Sequence, residues 1–419
     1  MTERITPSLR RVTTLAAFTI AGVLLAAPVP ASNDAVIVRG DLSASQRVFE
    51  KGRGVVAFLG GSITEMEGYR VYIAKSLRQR FPKTEFEFLN AGVASTCSHT
   101  GAFRLREEVL AKEPDLLFVE FAVNDDQDAA HDEVNAMRGM EGIVRGARLE
   151  HPEVDIVVTH FVNRKMLEQI QNDGVPLSVR AHESVAAHYN VSSCNVGLEL
   201  ANRIERGSMS WETYGGVHPG DPGNRLAASL VERVFDANNY RSGETESVRS
   251  GKKVIPIPLD TASFSEGRML SLESVNKGKT WARSIPEWSA ISGKLRSRFG
   301  GLPMLHTTID LERDEPNTDF CEVRFRGTAV GLYALAGPDA GSIEFSVDGG
   351  GWETKSLYHR FSKGLHYPRT IVLVSDLENG PHTVRFRAIA SSPTRNSVRI
   401  LRVVCNGEAQ DASKSSSSK

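Results

Sequence analysis

The sequence lacks the features that mark several protein classes. Its 419 residues hold only four cysteines, at positions 97, 194, 321 and 405, and no C-x-x-C pair. That pattern fits no zinc module. Neither sign of charge dominates, because 50 Lys+Arg stand against 51 Asp+Glu for a formal net charge of −1. A basic nucleic-acid-binding surface is therefore not expected. No run is long and apolar enough to span a bilayer, which takes about 20 residues. No repeat recurs at a fixed period, so solenoid and propeller arrays are excluded. Gly60-Gly61 is not followed by the G-K-[ST] of a phosphate loop, and His182-Glu183 with His188 does not fit H-E-x-x-H.

What remains is a globular composition, 40% hydrophobic and 24% charged, at a length that suits two or three domains. Arg4, Arg10 and Arg11 precede an uncharged apolar run from Leu15 to Ala27, and Val29-Pro30-Ala31 follows. These are the parts of a secretory signal peptide, assigned to residues 1–31, with no stable membrane insertion after its removal. A secreted or periplasmic protein is expected. In that compartment one bridge in each half and four buried free thiols are both open outcomes.

Two periodicities divide the remainder. From 55 to about 234, short apolar runs (55–59, 86–89, 116–122, 156–161, 191–196) alternate with amphipathic stretches (69–81, 102–112, 133–150, 177–189). That alternation predicts a three-layer α/β domain over residues 32–236, with a mostly parallel sheet whose sites lie at the carboxyl ends of strands. Residues 237–253 read as a linker. Residues 254–407 then show short strand-like segments separated by turn signals such as Asp348-Gly349-Gly350 and Glu378-Asn379-Gly380. They predict an antiparallel, jelly-roll-like β-sandwich. If that sandwich is independent, a chain ending near Lys253 stays soluble. Residues 408–419 read as a polar tail.

The ends of the α/β strands carry the chemistry. The first strand runs into Gly60-Gly61-Ser62-Ile63-Thr64, the second ends at Asn90-Ala91-Gly92, and the third at Phe121-Ala122-Val123-Asn124-Asp125. Later come Gly216-Val217-His218-Pro219 and an amphipathic helix. A serine hydroxyl becomes a nucleophile when an imidazole takes its proton, and an oxyanion needs fixed N–H donors. Ser62 with Glu65 also fits an S-x-x-E capping box, a purely structural alternative.

These four segments resemble the blocks of the SGNH (GDSL-type) hydrolases, over roughly residues 52–236. The GGSIT form resembles a subgroup attached to carbohydrate-modifying proteins. The resemblance implies a flavodoxin-like α/β fold, Ser62 as nucleophile and His218 as general base. It implies an oxyanion hole made by the Ser62 and Gly92 N–H groups and the Asn124 side chain. It implies neither cofactor nor metal. The family's aspartate three residues before the histidine is replaced by Gly215. Glu212 and Asp221 are the candidate carboxylates to orient His218, and a backbone carbonyl, as in relatives resembling carbohydrate esterase family two, is the favoured alternative. Trp211 is a candidate sugar-stacking platform, with ordinary packing the competing role. Asp125, Asp126 and Asp128 read as a solvated loop at the site's mouth rather than a calcium site. The second half resembles the β-sandwich modules joined to polysaccharide esterases.

The expected protein is a secreted serine esterase removing acyl groups, acetyl foremost, from a carbohydrate. A lipase, thioesterase or acyltransferase of the same fold, and a non-catalytic glycan-binding protein, are the alternatives.

Overall fold

The computed structural model describes residues 34–243, 253–312 and 319–410. The signal-peptide segment, most of the linker and all but the start of the tail lie outside the described residues.

The first sheet contains β1 (Val36–Ile37), β2 (Arg53–Gly60), β3 (Glu85–Gly92), β4 (Leu116–Glu120), β5 (Asp155–His160) and β6 (Ser192–Asn195). Their order is β1-β6-β5-β4-β2-β3, all pairs parallel except β1 with β6. Strands β2 and β4 hold the centre and are buried on both faces, which is why they read as unbroken apolar runs. Helices α1 (Ser43–Glu50), α2 (Ser62–Glu65), α3 (Tyr69–Arg80), α4 (Ser98–Glu108) and α5 (Glu133–Glu150) alternate with them. So do α6 (Arg164–Gln171), α7 (Leu177–His188), α8 (Val196–Glu205), α9 (Trp211–Tyr214) and α10 (Asp221–Ala237). Leaving aside the short β1, the strands follow a flavodoxin-like order, whose crevice opens where the winding reverses, between β2 and β4.

The second half is an all-antiparallel sheet. Its strands are β7 (Gly267–Leu270), β8 (Ala282–Ser284), β9 (Met304–Thr308), β10 (Cys321–Ala336), β11 (Ser342–Val347), β12 (Glu353–Ser356), β13 (Tyr367–Val374), β14 (Gly380–Ile389) and β15 (Ser397–Ala409). The long strand β10 is broken by a bulge at Gly327. Before the bulge it pairs with β14 and after it with β13. Gly327 must be glycine: its φ is +156°, and a Cβ there would meet Asn406 O at 2.0 Å. Positive φ falls on Asp348 and Gly349 as expected for a hairpin, but in the later turn it falls on Asp376 rather than Asn379 or Gly380. The tail begins later than the sequence implies, since Glu408 and Ala409 still pair with β10. All four cysteines are buried and free.

The two halves are not separate bodies. One core cluster runs from Phe103, Met140 and Ile143 beneath the first sheet to Phe264, Phe299, Tyr333 and Leu335 of the second half. The helix face that β-strands leave bare in a lone α/β domain is here covered by the sandwich. Polar contacts frame this seam. Arg138 pairs with Asp260 and Asp376, each at 2.6 Å, and Glu141 accepts the N–H groups of Leu259 and Asp260.

Each such apolar side chain contributes about 1.5–3 kcal/mol when buried, against a typical total stability of about 5–15 kcal/mol. A chain ending at Lys253 should therefore aggregate or bind a hydrophobic dye and lose its cooperative melting transition. A monodisperse, cooperatively melting fragment would contradict this reading of the seam.

Candidate active site

Parallel pairing brings the loops after β2, β3 and β4 to one end of the sheet. Gly60 lies opposite Gly92 on one side and Glu120 on the other. The buried Arg104 guanidinium ties the strand ends together by donating to the carbonyls of Gly60 and Ala91. Past Gly60 the chain turns sharply into α2. Gly61 is required there by close approach, since a Cβ would stand 2.0 Å from Asn124 Oδ1.

Ser62 opens α2, but not as its cap. Gly61 takes the N-cap position and no side chain caps the helix. Ser62 Oγ instead lies 2.8 Å from His218 Nε2, while the Glu65 carboxylate accepts from Ala94 N–H and pairs with Arg298. The capping-box reading is thereby excluded. With the hydroxyl donating, Nε2 accepts and the ring proton sits on Nδ1.

His218 reaches Ser62 from the loop between α9 and α10. Gly215 and Gly216, at φ +105° and +86°, swing that loop over the strand ends. Asn224 locks it, donating to the carbonyls of Pro219 and Gly220 and accepting Tyr69 N–H. The missing aspartate follows from this backbone. A side chain at position 215 would sit in a positive-φ conformation with its Cβ 2.1 Å from Gly220 N.

Neither candidate carboxylate replaces it. Glu212 is exposed and lies 3.9 Å from Arg164, and Asp221 accepts from Tyr72 and from Arg225. No carbonyl hydrogen-bonds Nδ1 either, among the described residues. Both Glu212→Gln and Asp221→Asn should therefore leave kcat for a small ester within about twofold of wild type. A loss of orders of magnitude in either folded variant would restore that residue as the orienting partner.

The donors meet different fates. Ser62 N–H, in the first turn of α2, has no intrahelical acceptor by position. Gly92 N–H is not free as the motif implies, because it donates to Asn90 Oδ1 at 3.0 Å. Asn124 is buried, and its Nδ2 donates to Asp128 Oδ2 at 2.6 Å.

The aspartate-rich segment is no solvated loop. Residues Asn124–Asp128 form one wide turn of π-helix. Asp125 is fully buried and accepts from Ser98 and from His182. Burial opposes its charge, yet His131 and His182 together hold it well below the usual carboxylate range. Asp126 accepts from Asn163. The three carboxylates thus serve separate partners. Glu183 is likewise directed elsewhere, to His160 and Arg39. Trp211 stacks on Tyr214 with Arg164 over its ring.

Two acids escaped the motif reading. Glu120 interrupts an apolar strand run, and a charge inside a buried parallel strand is the signal that could have revealed it. It accepts from Thr64 Oγ1 and Gly61 N–H beneath the turn that presents Ser62. Asp128 follows Asn124 by four residues, one helical turn. Burial pushes Glu120 up to about 7 and Asp128 up to about 6.

Residues 58–226 match the sequence profile of the GDSL-like Lipase/Acylhydrolase family. The match falls within the α/β half and spans the loops that carry Ser62, Gly92, Asn124 and His218. No curated protein matches the chain. Two crystal structures of a two-domain esterase (CEX) active on acetylated mannans, one co-crystallised with mannopentaose, are similar over 90% of this chain. They cover 97% and 98% of their own chains, with TM-scores of 0.67 and 0.68 at 21% identity. The acetylxylan esterase Axe2 from Geobacillus stearothermophilus aligns with 43% of this chain and 94% of its own, at 18% identity and a TM-score of 0.35. The order of a mostly parallel α/β domain followed by an antiparallel sheet is thus a fold shared with those two structures.

Within the α/β half, Glu120 yields a pH test. Its folded pKa lies above its unfolded value, so its stabilising contribution is complete below about 4.5 and is lost as pH rises towards about 7. Glu120→Gln removes this titration. Its melting temperature relative to wild type should climb between pH 4.5 and 7 and level off above. A flat or falling difference would contradict the buried, proton-binding state of Glu120.

Proposed function

We propose that this protein is an exported serine esterase that removes acetyl groups from a carbohydrate. The observation that carries the reading is the 2.8 Å contact of Ser62 Oγ with His218 Nε2 beside the Asn124 amide, at the reversal of the sheet. The Gly60-Gly61-Ser62-Ile63-Thr64 sequence supports placement in the GGSIT subgroup, and an N-terminal signal supports export. The carbohydrate assignment draws on the two-domain architecture shared with the acetylated-mannan esterase.

In this mechanism His218 Nε2 takes the Ser62 proton as Oγ attacks the acetyl carbonyl. The tetrahedral oxyanion accepts hydrogen bonds from Ser62 N–H and Asn124 Nδ2, and from Gly92 N–H once Asn90 gives way. Nε2 returns its proton to the sugar oxygen, which leaves as the alcohol. Water then attacks the acetyl-serine with His218 again as base, releasing acetate and restoring Ser62. Among the described residues no carboxylate pairs with His218, so the donors carry a larger share of transition-state stabilisation than in a full triad.

Ser62→Ala should abolish acetate release from acetylated mannan and xylan and hydrolysis of p-nitrophenyl acetate, with the fold intact. Asn124→Ala should lower kcat by about 10²–10³ with a smaller change in KM. Wild-type turnover in Ser62→Ala would end the serine mechanism. A preference for long-chain esters over acetyl would move the assignment to a lipase.

A further inference from the structure

Asn124 is an unusual donor. Its amide nitrogen carries two protons, and only one is engaged, by Asp128 Oδ2. Its Oδ1 is buried with no hydrogen-bond partner. Nothing on the Gly61 side fixes which way the amide faces, since that neighbour offers only a Cα. Asp128 is therefore the group that decides the orientation. With its carboxylate accepting, the nitrogen stays on the Asp128 side and its second proton remains for an oxyanion.

Asp128 is itself held from the second half. His359 Nε2 donates to Asp128 O at 2.8 Å, and Arg360 donates to Gln127 O. Tyr367, at the start of β13, is buried, stacks on His359 with ring centroids 4.4 Å apart, and sets its hydroxyl beside the Asp128 carboxylate. Burial and the neighbouring Asp128 carboxylate push that phenol well above its ordinary value. Three residues of the sandwich thus close over one π-turn of the α/β half. A carboxylate kept where burial disfavours its charge costs stability, and packing alone would be served as well by an apolar residue.

Resting on the esterase reading above, we propose that Asp128 is the positioning residue for the Asn124 oxyanion donor and that Tyr367 of the sandwich holds Asp128 in place. The second half then completes the esterase centre through the protein interior, whether or not it touches the glycan.

The test is a double-mutant cycle with p-nitrophenyl acetate. Asp128→Leu fills the same space without an acceptor. It should lower kcat about ten- to a hundredfold, as misplacing a reacting group does, with KM within about twofold. Its melting temperature should stay within a few degrees of wild type, because the buried charge removed offsets the Asn124 donor left without an acceptor. In the Asn124→Ala background the same change should cost nothing further. Tyr367→Phe should lose a few-fold in kcat, again only when Asn124 is present. Equal factors in both backgrounds, a wild-type kcat in either single variant, or activity lost in step with melting temperature would each overturn the proposal. Should Asp128→Leu fail to fold, Tyr367→Phe decides through its own cycle. If Asn124→Ala itself keeps wild-type kcat, the esterase reading of this site fails instead, and the two failures are told apart.

Discussion

Everything at the site follows from the parallel pairing of β2 with β4. The register sets Gly60 beside Glu120, so the chain leaving β2 must turn over the carboxylate while the chain leaving β4 winds into its π-turn. Only a residue without a side chain lets these two paths pass. Gly61 is that residue, with the Asn124 amide against its Cα. The hydroxyl of Ser62 and the donor of Asn124 are therefore neighbours by backbone geometry rather than by side-chain reach.

Reactive geometry here is held by buried polar groups at some expense in stability. Arg104, Glu120, Asp125 and Asp128 are all buried beside the strand ends, and each has partners that fix a loop. Arg104 joins β2 and β3, Glu120 supports the turn after β2, and Asp125 fastens α4 and α7 to the turn after β4. Preorganised dipoles of this kind cost no reorganisation when charge develops. The absent aspartate fits the same logic. Its position is a positive-φ glycine because the loop must bend there to bring His218 back over Ser62.

The second half extends this scaffold rather than hanging from it. Its Phe264, Tyr333 and Leu335 share a core with α4 and α5, and Arg296 and Arg298 donate to the carbonyls of Ala94 and Gly92 in the loop after β3. The end of β3 and the loop after it are thus fixed by residues more than 200 positions away in the chain.

The sequence by itself determined the local elements. Apolar runs marked β2, β3, β4 and β5, and amphipathic periods marked α3, α5 and α7 nearly to their ends, because burial on one face or two leaves a period in the chain. The motif blocks fixed which loops carry Ser62, Asn124 and His218, since turn glycines and strand ends are short-range features. The polar α4 start, short α6 and α8, and the continuity of β10 across Gly327 were not legible. Their character comes from partners distant in the chain. Tertiary structure alone decided that Glu212 and Asp221 turn to arginines, that Gly92 N–H is taken by Asn90, and that the aspartates after β4 are buried. Each of these outcomes depends on which groups meet once the loops of the α/β half are folded together, and a hydrogen bond or a desolvated charge has no periodicity from which the sequence could announce it.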